Sequence, residues 1–324
     1  MNNDQVKLQK KKIEFSSFAL YIGAVAILIG FTIACSIAGK NFLTLKNIQN
    51  IISQSACVAV VAIGASLVIL TGGIDLSAGS IIGFVGIFCG MFIKQGMSIP
   101  LAFLIGIAAG ALLGLINGVI ISYGKVPAFI ATLGMMNIAR GMAYLTNGGK
   151  SISGFPIPLS NFMGTKVFGT TPISVFYVFV LYAIMYFVMT YTRFGRRVYS
   201  LGGNERAAKL SGVKVKKVEV SVYVLAGMFS ALAGIMLLSR LFYADPNTGS
   251  GYEMNAIASC VIGGISLSGG KGKILNTLVG SLILGMLTCG LQILNISVHW
   301  QTIITGLVIV AAVYMDRAKE RKAE

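Results

Sequence analysis

The sequence predicts an all-α, polytopic membrane protein with about ten transmembrane helices and both termini in the cytoplasm. Three observations carry that expectation. Of 324 residues, 56% are hydrophobic and 11% charged, and the mean hydropathy is +0.83; soluble chains carry about a quarter charged residues. A chain this short has no aqueous core large enough for so much apolar side chain, so its solvent is lipid. The apolar residues also fall in runs close to the ~20 residues that a bilayer-crossing helix needs. Finally, basic residues cluster at the edges of those runs, more on one side than the other.

The first run, 16–38, follows a polar, basic tail (1–15). It is long enough to span and lacks a small-residue cleavage site, so it reads as a helix and not as a secretory signal. The second, 51–70, ends on a glycine pair, and the third, 80–93, is short and begins beyond it. The fourth, 100–122, carries Gly106, Gly110, Gly114 and Gly118 down one face, which permits close helix–helix approach. The fifth (128–146), sixth (173–191) and seventh (220–239) are long apolar runs, the fifth interrupted by Arg140. The eighth, 254–268, is short and runs into a second glycine-rich stretch; like the third, it suits a re-entrant segment. Runs 274–294 and 297–315 complete a single transmembrane domain (16–315), followed by a basic tail (316–324).

Loop charges orient the ten helices. The cytoplasmic side receives Lys7, Lys10, Lys11, Lys12, Lys125, Arg193, Arg196, Arg197, Arg206, Lys209, Lys214, Lys216, Lys217, Lys271, Lys273, Arg317, Lys319, Arg321 and Lys322. The other face receives Lys40, Lys46, Lys94, Lys150, Lys166 and Arg240, a ratio of nineteen to six. Two loops are long. Residues 147–172, with Gly148, Gly149, Pro156, Pro158 and Pro172, form an irregular external cap, and residues 192–217 form a basic cytoplasmic docking surface.

Several classes of function are excluded. The net charge of +16 lies at helix ends and not on a duplex-binding face. Cys35, Cys57, Cys89, Cys260 and Cys289 sit in apolar surroundings without metal-binding spacing and read as packing residues. His299, beside Trp300, reads as interfacial. No phosphate-binding loop, zinc-protease motif or nucleophile elbow occurs. Energy for uphill movement of a solute must therefore come from a partner or an ion gradient.

One octapeptide occurs twice. Gly72-Gly73-Ile74-Asp75-Leu76-Ser77-Ala78-Gly79 returns as Gly263-Gly264-Ile265-Ser266-Leu267-Ser268-Gly269-Gly270. Glycine pairs and serines weaken a helix, and unwound backbone at membrane depth is tolerated only against protein or a watery cavity. Gly72, Gly73, Asp75, Ser77, Gly263, Gly264, Ser266 and Ser268 are the candidate pathway or gate residues. The topology puts both copies on the cytoplasmic side, near an inner gate, with Asp75 against Ser266 as their main difference. Asp75 reads first as a cap for the following helix and second as a partner for solute hydroxyls.

A second constellation is Gly202-Gly203-Asn204-Glu205-Arg206-Ala207-Ala208-Lys209-Leu210-Ser211-Gly212. Asn204 is a plausible N-cap, Glu205 favours a helix start, and Gly212 is a natural stop. Ala207, Ala208 and Leu210 then give a short surface helix with a small apolar face. Asp245 and Glu253, near the external side, are candidates for contact with an external partner.

The chain resembles the permease subunit of bacterial ABC importers for monosaccharides, the ribose branch above all. The matching stretches are 69–77, 129–134, 201–204, 210–213, 251–253 and 261–270, in family order from about residue 41 to 316. The resemblance implies a multi-pass inner-membrane protein in which two permease copies form the pathway. Two cytosolic ATPases, which bind ATP and Mg, drive it, and an extracytoplasmic binding protein delivers the sugar. This chain itself would bind no cofactor and no metal and perform no catalysis. The Glu205, Ala207, Ala208 and Gly212 pattern would dock on the ATPase, and Asp245 and Glu253 would meet the binding protein. Met254, Asn255 and Asn276 depart from the family pattern, which leaves galactose or xylose open beside ribose. An ion-coupled secondary transporter is the rival class, although no chain of intramembrane carboxylates or histidines is present as a proton relay. A lipid-modifying membrane enzyme lacks the required polar cluster.

Overall fold

In the computed structural model, the backbone is described for residues 3–169 and 171–321, and side chains for residues 20–169 and 171–314. The terminal basic side chains Lys7, Lys10, Lys11, Lys12, Arg317, Lys319, Arg321 and Lys322 lie outside the described residues. Thirteen helices form: α1 (Asn3–Ile37), α2 (Leu45–Leu70), α3 (Ala78–Lys94), α4 (Ile99–Ser122), α5 (Ala128–Thr146), α6 (Pro158–Gly164) and α7 (Ser174–Tyr191). They continue with α8 (Arg193–Gly203), α9 (Glu205–Leu210), α10 (Val215–Leu241), α11 (Tyr252–Ile262), α12 (Ile274–Ile293) and α13 (Val298–Arg321).

Each of the ten apolar runs contains one helix. Six are long and apolar enough to cross a bilayer unaided: α1, α2, α4, α7, α10 and α12. The α3 helix and residues Val298–Tyr314 are shorter apolar helices. Asn137 and Arg140 dilute the hydropathy of α5, and α11, with 11 residues, is about 16 Å long, roughly half a hydrocarbon core.

Burial ranks the long helices. The apolar window of α2 is 83% buried within the protein, whereas that of α1 is 11% buried. The largest core gathers α2, α7 and α10 with the first turn of α12; a second joins α3, α4, α5 and α10; a third ties α1 to α12. The α4 glycine stripe finds its partner inside the chain. A Cβ at Gly110 would meet Ala231 and the Gly227 carbonyl, one at Gly114 would land on the Tyr223 carbonyl, and one at Gly118 would meet Val220. The stripe therefore brings α4 onto the backbone of α10.

Two of the shorter helices are preceded by irregular chain. Residues 71–77 run irregularly from the end of α2 before α3 begins. In the other case, the chain leaves α10 through residues 242–251 and only then forms α11. The two meet part-way through the protein: a Cβ on Gly79 would strike the Glu253 carboxylate and the Gly249 carbonyl. Each short helix is thus completed by an irregular half, which explains why the third and eighth runs are short.

The 147–172 segment is more ordered than its prolines and glycines predict. It contains α6 and β1 (Ile152–Ser153), and its end supplies β2 (Lys166–Val167) and β3 (Thr171–Pro172), which pair antiparallel. β1 pairs antiparallel with β4 (Tyr243–Ala244), with Ile152 opposite Ala244. The Ser239 hydroxyl donates to the Leu159 carbonyl (2.7 Å) and accepts from the Met163 amide (3.0 Å), seating α6 on α10.

Gly114→Leu is expected to cost about 2–3 kcal/mol by overpacking. Gly141→Ala, with nothing within 4 Å of the added Cβ, should be neutral or stabilise by up to about 1 kcal/mol. Thermal unfolding of the purified protein in detergent checks the pair; equal melting temperatures would remove the α4–α10 seam from the account.

Candidate functional site

The surface helix α9 forms where its capping residues place it. Asn204 is extended (φ −163°, ψ 101°), and its side-chain oxygen accepts from the Ala207 amide at 3.0 Å. Glu205 occupies the first turn and Lys209 the last, matching the helix dipole. Beyond Ser211, Gly212 takes a left-handed φ of +79°, and the Val213 amide closes on the Ala208 carbonyl (3.1 Å). The expected apolar face is divided. Ala208 is 1% exposed and seats the helix on the protein, whereas Leu210 is 90% exposed and Ala207 also faces outward.

A second helix precedes it that composition did not reveal. The Thr192 hydroxyl accepts from the Phe194 and Gly195 amides and starts α8. Val198 and Leu201 are buried while Arg193, Arg196 and Arg197 are exposed, so α8 is amphipathic. Gly202 and Gly203 are its final turn, and Asn204 is the elbow into α9.

Gly202 joins α8–α9 to both helix breaks. A Cβ there would land on the Leu70 carbonyl and lie 2.6 Å from the Gly270 amide nitrogen; one on Gly269 would meet the Gly202 carbonyl at 3.0 Å and the Gly72 amide at 3.1 Å. The Gly270 amide donates to the Leu70 carbonyl at 3.0 Å. The Tyr199 hydroxyl donates to the Gly272 carbonyl at 3.0 Å, adding a side-chain tie. The two octapeptides and the elbow therefore form one junction of backbone on backbone.

The octapeptides end their helices in the same way but one residue out of step. In the first, the Gly72 amide donates to Ile69 (2.8 Å) and the Gly73 amide to Val68 (3.0 Å), with Gly72 at φ +85°. In the second, the Gly264 amide donates to Val261 (2.9 Å) and the Ile265 amide to Cys260 (2.9 Å), with Gly264 at φ +82°. The left-handed residue is thus the first glycine of one pair and the second of the other. The copies come back into step at Asp75 and Ser266. The Asp75 carboxylate accepts from the Ser77 amide (2.8 Å) and hydroxyl (2.6 Å), and the Ser266 hydroxyl accepts from the Ser268 amide (3.2 Å).

Neighbouring helices hold the first break. The Asn117 amide group donates to the Ser77 hydroxyl (3.0 Å), and the Thr132 hydroxyl donates to the Ile74 carbonyl (3.2 Å). Thr132 lies inside the 129–134 stretch that carried the resemblance; Asn117 had no sequence signal beyond being a polar residue in an apolar run.

Arg140 finds its partners on the 245–251 loop. Its guanidinium donates to the Pro246 carbonyl, to the Thr248 carbonyl (3.4 Å) and to the Ser250 hydroxyl (3.1 Å). One turn away, the Tyr144 hydroxyl donates to Asn247 (2.8 Å). Asp245 is bound within the same loop, accepting from Ser151 (2.7 Å), Tyr243 (3.2 Å) and the Asn247 amide (2.8 Å). Partial burial pushes the Asp245 carboxyl up, but these hydrogen bonds and the Arg140 charge hold it below the usual carboxylate range. Glu253 turns inward: one carboxylate oxygen accepts from the Gly251 amide (3.2 Å), and the other is buried without a hydrogen-bond partner among the described residues.

No group of three His, Cys, Asp or Glu able to hold a metal occurs among the described residues, and the five cysteines are buried and unpaired by disulfides. The arrangement offers mechanical linkage: a surface helix pair, two helix breaks and a loop at 245–251 braced by Arg140. The chain matches the family described as branched-chain amino acid transport system / permease component over residues 47–313. It is 41% identical to the ribose import permease protein RbsC of Bacillus subtilis (strain 168), covering 98% of this chain and 99% of that one. It is 40% identical to the ribose import permease protein RbsC of Escherichia coli (strain K12), covering 91% and 93%. With the D-allose transport system permease protein AlsC of the same strain it shares 37% identity, covering 95% of each. No solved structure matches.

The adjacent glycines at the elbow give an internal control. Gly202→Ala should open the junction at a cost of about 1–3 kcal/mol, while Gly203→Ala meets nothing within 4 Å and should be tolerated. Limited trypsin digestion of the basic α8–α9 segment reads the difference, with faster cleavage expected only for Gly202→Ala. Identical digestion rates would mean that the elbow is not held by close approach.

Proposed function

This chain belongs to the branched-chain amino acid transport system / permease component family, and from that premise we propose that it translocates ribose in an ATP-driven importer. It is a multi-pass membrane permease subunit and not an enzyme. The family description names amino acids, but the near-full-length relatives at 37–41% identity are named for ribose and allose, which favours a monosaccharide. ATP and Mg are bound by a cytosolic ATPase partner, and an extracytoplasmic binding protein delivers the sugar. The permease sits in the bacterial inner membrane as a homodimer of ten-helix subunits, with both termini and the α8–α9 pair in the cytoplasm. Each subunit is one transmembrane domain (16–315), with short tails before and after it.

The observation that carries this reading is the contact of Gly202 with Leu70 and Gly270, three residues before α9 begins. Glu205, Ala207 and Leu210 dock on the ATPase, Ala208 anchors the helix from beneath, and Gly212 ends it. Displacement of α9 moves Gly202 and Gly203, and with them both breaks: Gly72, Gly73, Asp75 and Ser77 on one side, Gly263, Gly264, Ser266 and Ser268 on the other. ATP binding and hydrolysis bias this inner gate between two populations. Asp75, tied to Ser77 and through it to Asn117, is the stiffer half, and Ser266 the softer one. At the opposite end, Asp245 and Glu253 brace the 245–251 loop for contact with the binding protein.

Two outcomes test the reading. Leu210→Glu or Gly212→Trp should leave the permease inserted but abolish co-purification of the ATPase and sugar uptake, whereas Ala208→Glu should instead destabilise the permease itself. Normal uptake by Leu210→Glu would sink the docking assignment. A cysteine at Lys271, in a background without native cysteines, should be labelled from the cytoplasm; labelling from outside would break the ten-helix topology.

A further inference from the structure

A cleft of about 410 Å³ opens between α2, α11, α12 and α13, within the roughly 300–1,000 Å³ range of small-molecule sites. Its walls include Gln54, Tyr252, Asn255, Thr288, Gln301 and Thr305, with apolar side chains between them and no charged residue. The side chains of Gln54 and Asn255 make no hydrogen bond among the described residues, so each offers a donor and an acceptor to the cleft. Thr288 and Thr305 donate to their own helix at Leu284 (3.0 Å) and Gln301 (2.8 Å), which leaves their oxygens able to accept. The Gln301 amide nitrogen is held by the Ile296 carbonyl (2.8 Å).

Position adds a second argument. The lining runs along α13 from Val298 to Ile309, about 16 Å at helical rise, and stops at Val58, mid-way along α2. A neighbouring space of about 280 Å³, bordered by Arg240 and Thr248, shares Gln54 and Tyr252 with it. The two lie on either side of Gln54 and Tyr252 and extend from the 245–251 loop to mid-depth, short of both helix breaks. The α11 helix links them, bearing Tyr252 and Asn255 at one end and meeting Gly263 at the other. The outward face of α13 differs in kind: Leu307 is 64% exposed and Val310 67%, as lipid contact requires.

We propose that this cleft is the outer solute lane, and that Gln54 and Asn255 are its specificity-determining contacts for a neutral, polyhydroxylated molecule of pentose size. Amides that donate and accept match sugar hydroxyls, and the apolar stretches between them match its C–H faces. Within this cleft, with Arg240 confined to the neighbouring space, the uncharged lining disfavours a zwitterionic amino acid, whose ammonium and carboxylate would lose hydration without a counter-charge.

The inference rests on the reading of the chain as a sugar permease, and one arm of its test needs no transport. In the complete importer with native cysteines replaced, Thr305→Cys should react with a membrane-impermeant thiol reagent applied outside, and Leu307→Cys should not. Equal reaction of both, or reaction of neither, would overturn the lane. In the other arm, Gln54→Leu and Asn255→Leu should each lower ribose uptake about three- to tenfold. Assembly with the ATPase, read by co-purification, should be retained. Uptake at the unmodified rate by both variants overturns the contact assignment. Failure of the unmodified importer to take up ribose would count against the functional reading instead, with the labelling result still deciding whether the cleft admits water.

Discussion

The Leu70 carbonyl is the last acceptor of α2, and the structure depends on what satisfies it. Leu70 is fully buried, and a helix end out of reach of water must have its terminal carbonyl met by protein. The chain's own turn takes care of Leu67, Val68 and Ile69 through the Thr71, Gly72 and Gly73 amides. For Leu70 the donor is the Gly270 amide, two hundred residues further along. That bond fixes where the second break lies against the first. It also leaves a gap so narrow that the residue crossing it, Gly202, has no room for a side chain. The most buried of the long helices, both octapeptide breaks and the surface helices are thereby referred to a single point.

The opposite end is organised by charge. Arg140 cannot sit in lipid, and three acceptors from one loop surround its guanidinium. The consequence is a loop held inward, against Gly79 and Gly83 at the head of α3. One irregular stretch, 71–77, is thus stabilised by main-chain hydrogen bonding at the junction, and the other, 242–251, by a cation gathering carbonyls. Between them stretches α11, joined at one end to the loop that Arg140 holds and at the other to the second octapeptide.

Features encoded within a few residues were legible in the sequence. Asn204, Glu205 and Gly212 specify α9 locally, and the ten apolar runs locate their helices because hydropathy acts over one segment at a time. What required three dimensions was direction and partnership. Ala207 and Ala208 are chemically alike, yet only Ala208 is covered, because the protein surface lies on that side of the helix. The α4 stripe announced a close approach without naming α10. Arg140 declared its need for acceptors, but those lie more than a hundred residues away in a loop of ordinary composition. The α8 helix escaped notice because two buried residues, Val198 and Leu201, are a weak periodic signal among arginines.

The one-residue offset between the octapeptides changes what their identical glycine pairs mean. In the first pair, Gly72 is needed for its torsion, and a Cβ there would meet nothing within 4 Å; Gly73 is needed for space, since its Cβ would reach the Tyr223 hydroxyl at 2.5 Å. In the second pair the duties are exchanged. A Cβ on Gly263 would lie 2.8 Å from the Asn276 backbone, and Gly264 carries the left-handed torsion with open space around it. Aligning the two copies by sequence therefore sets each torsional glycine opposite a steric one. The doublet is a motif that can be read in either of two frames, and this chain uses both.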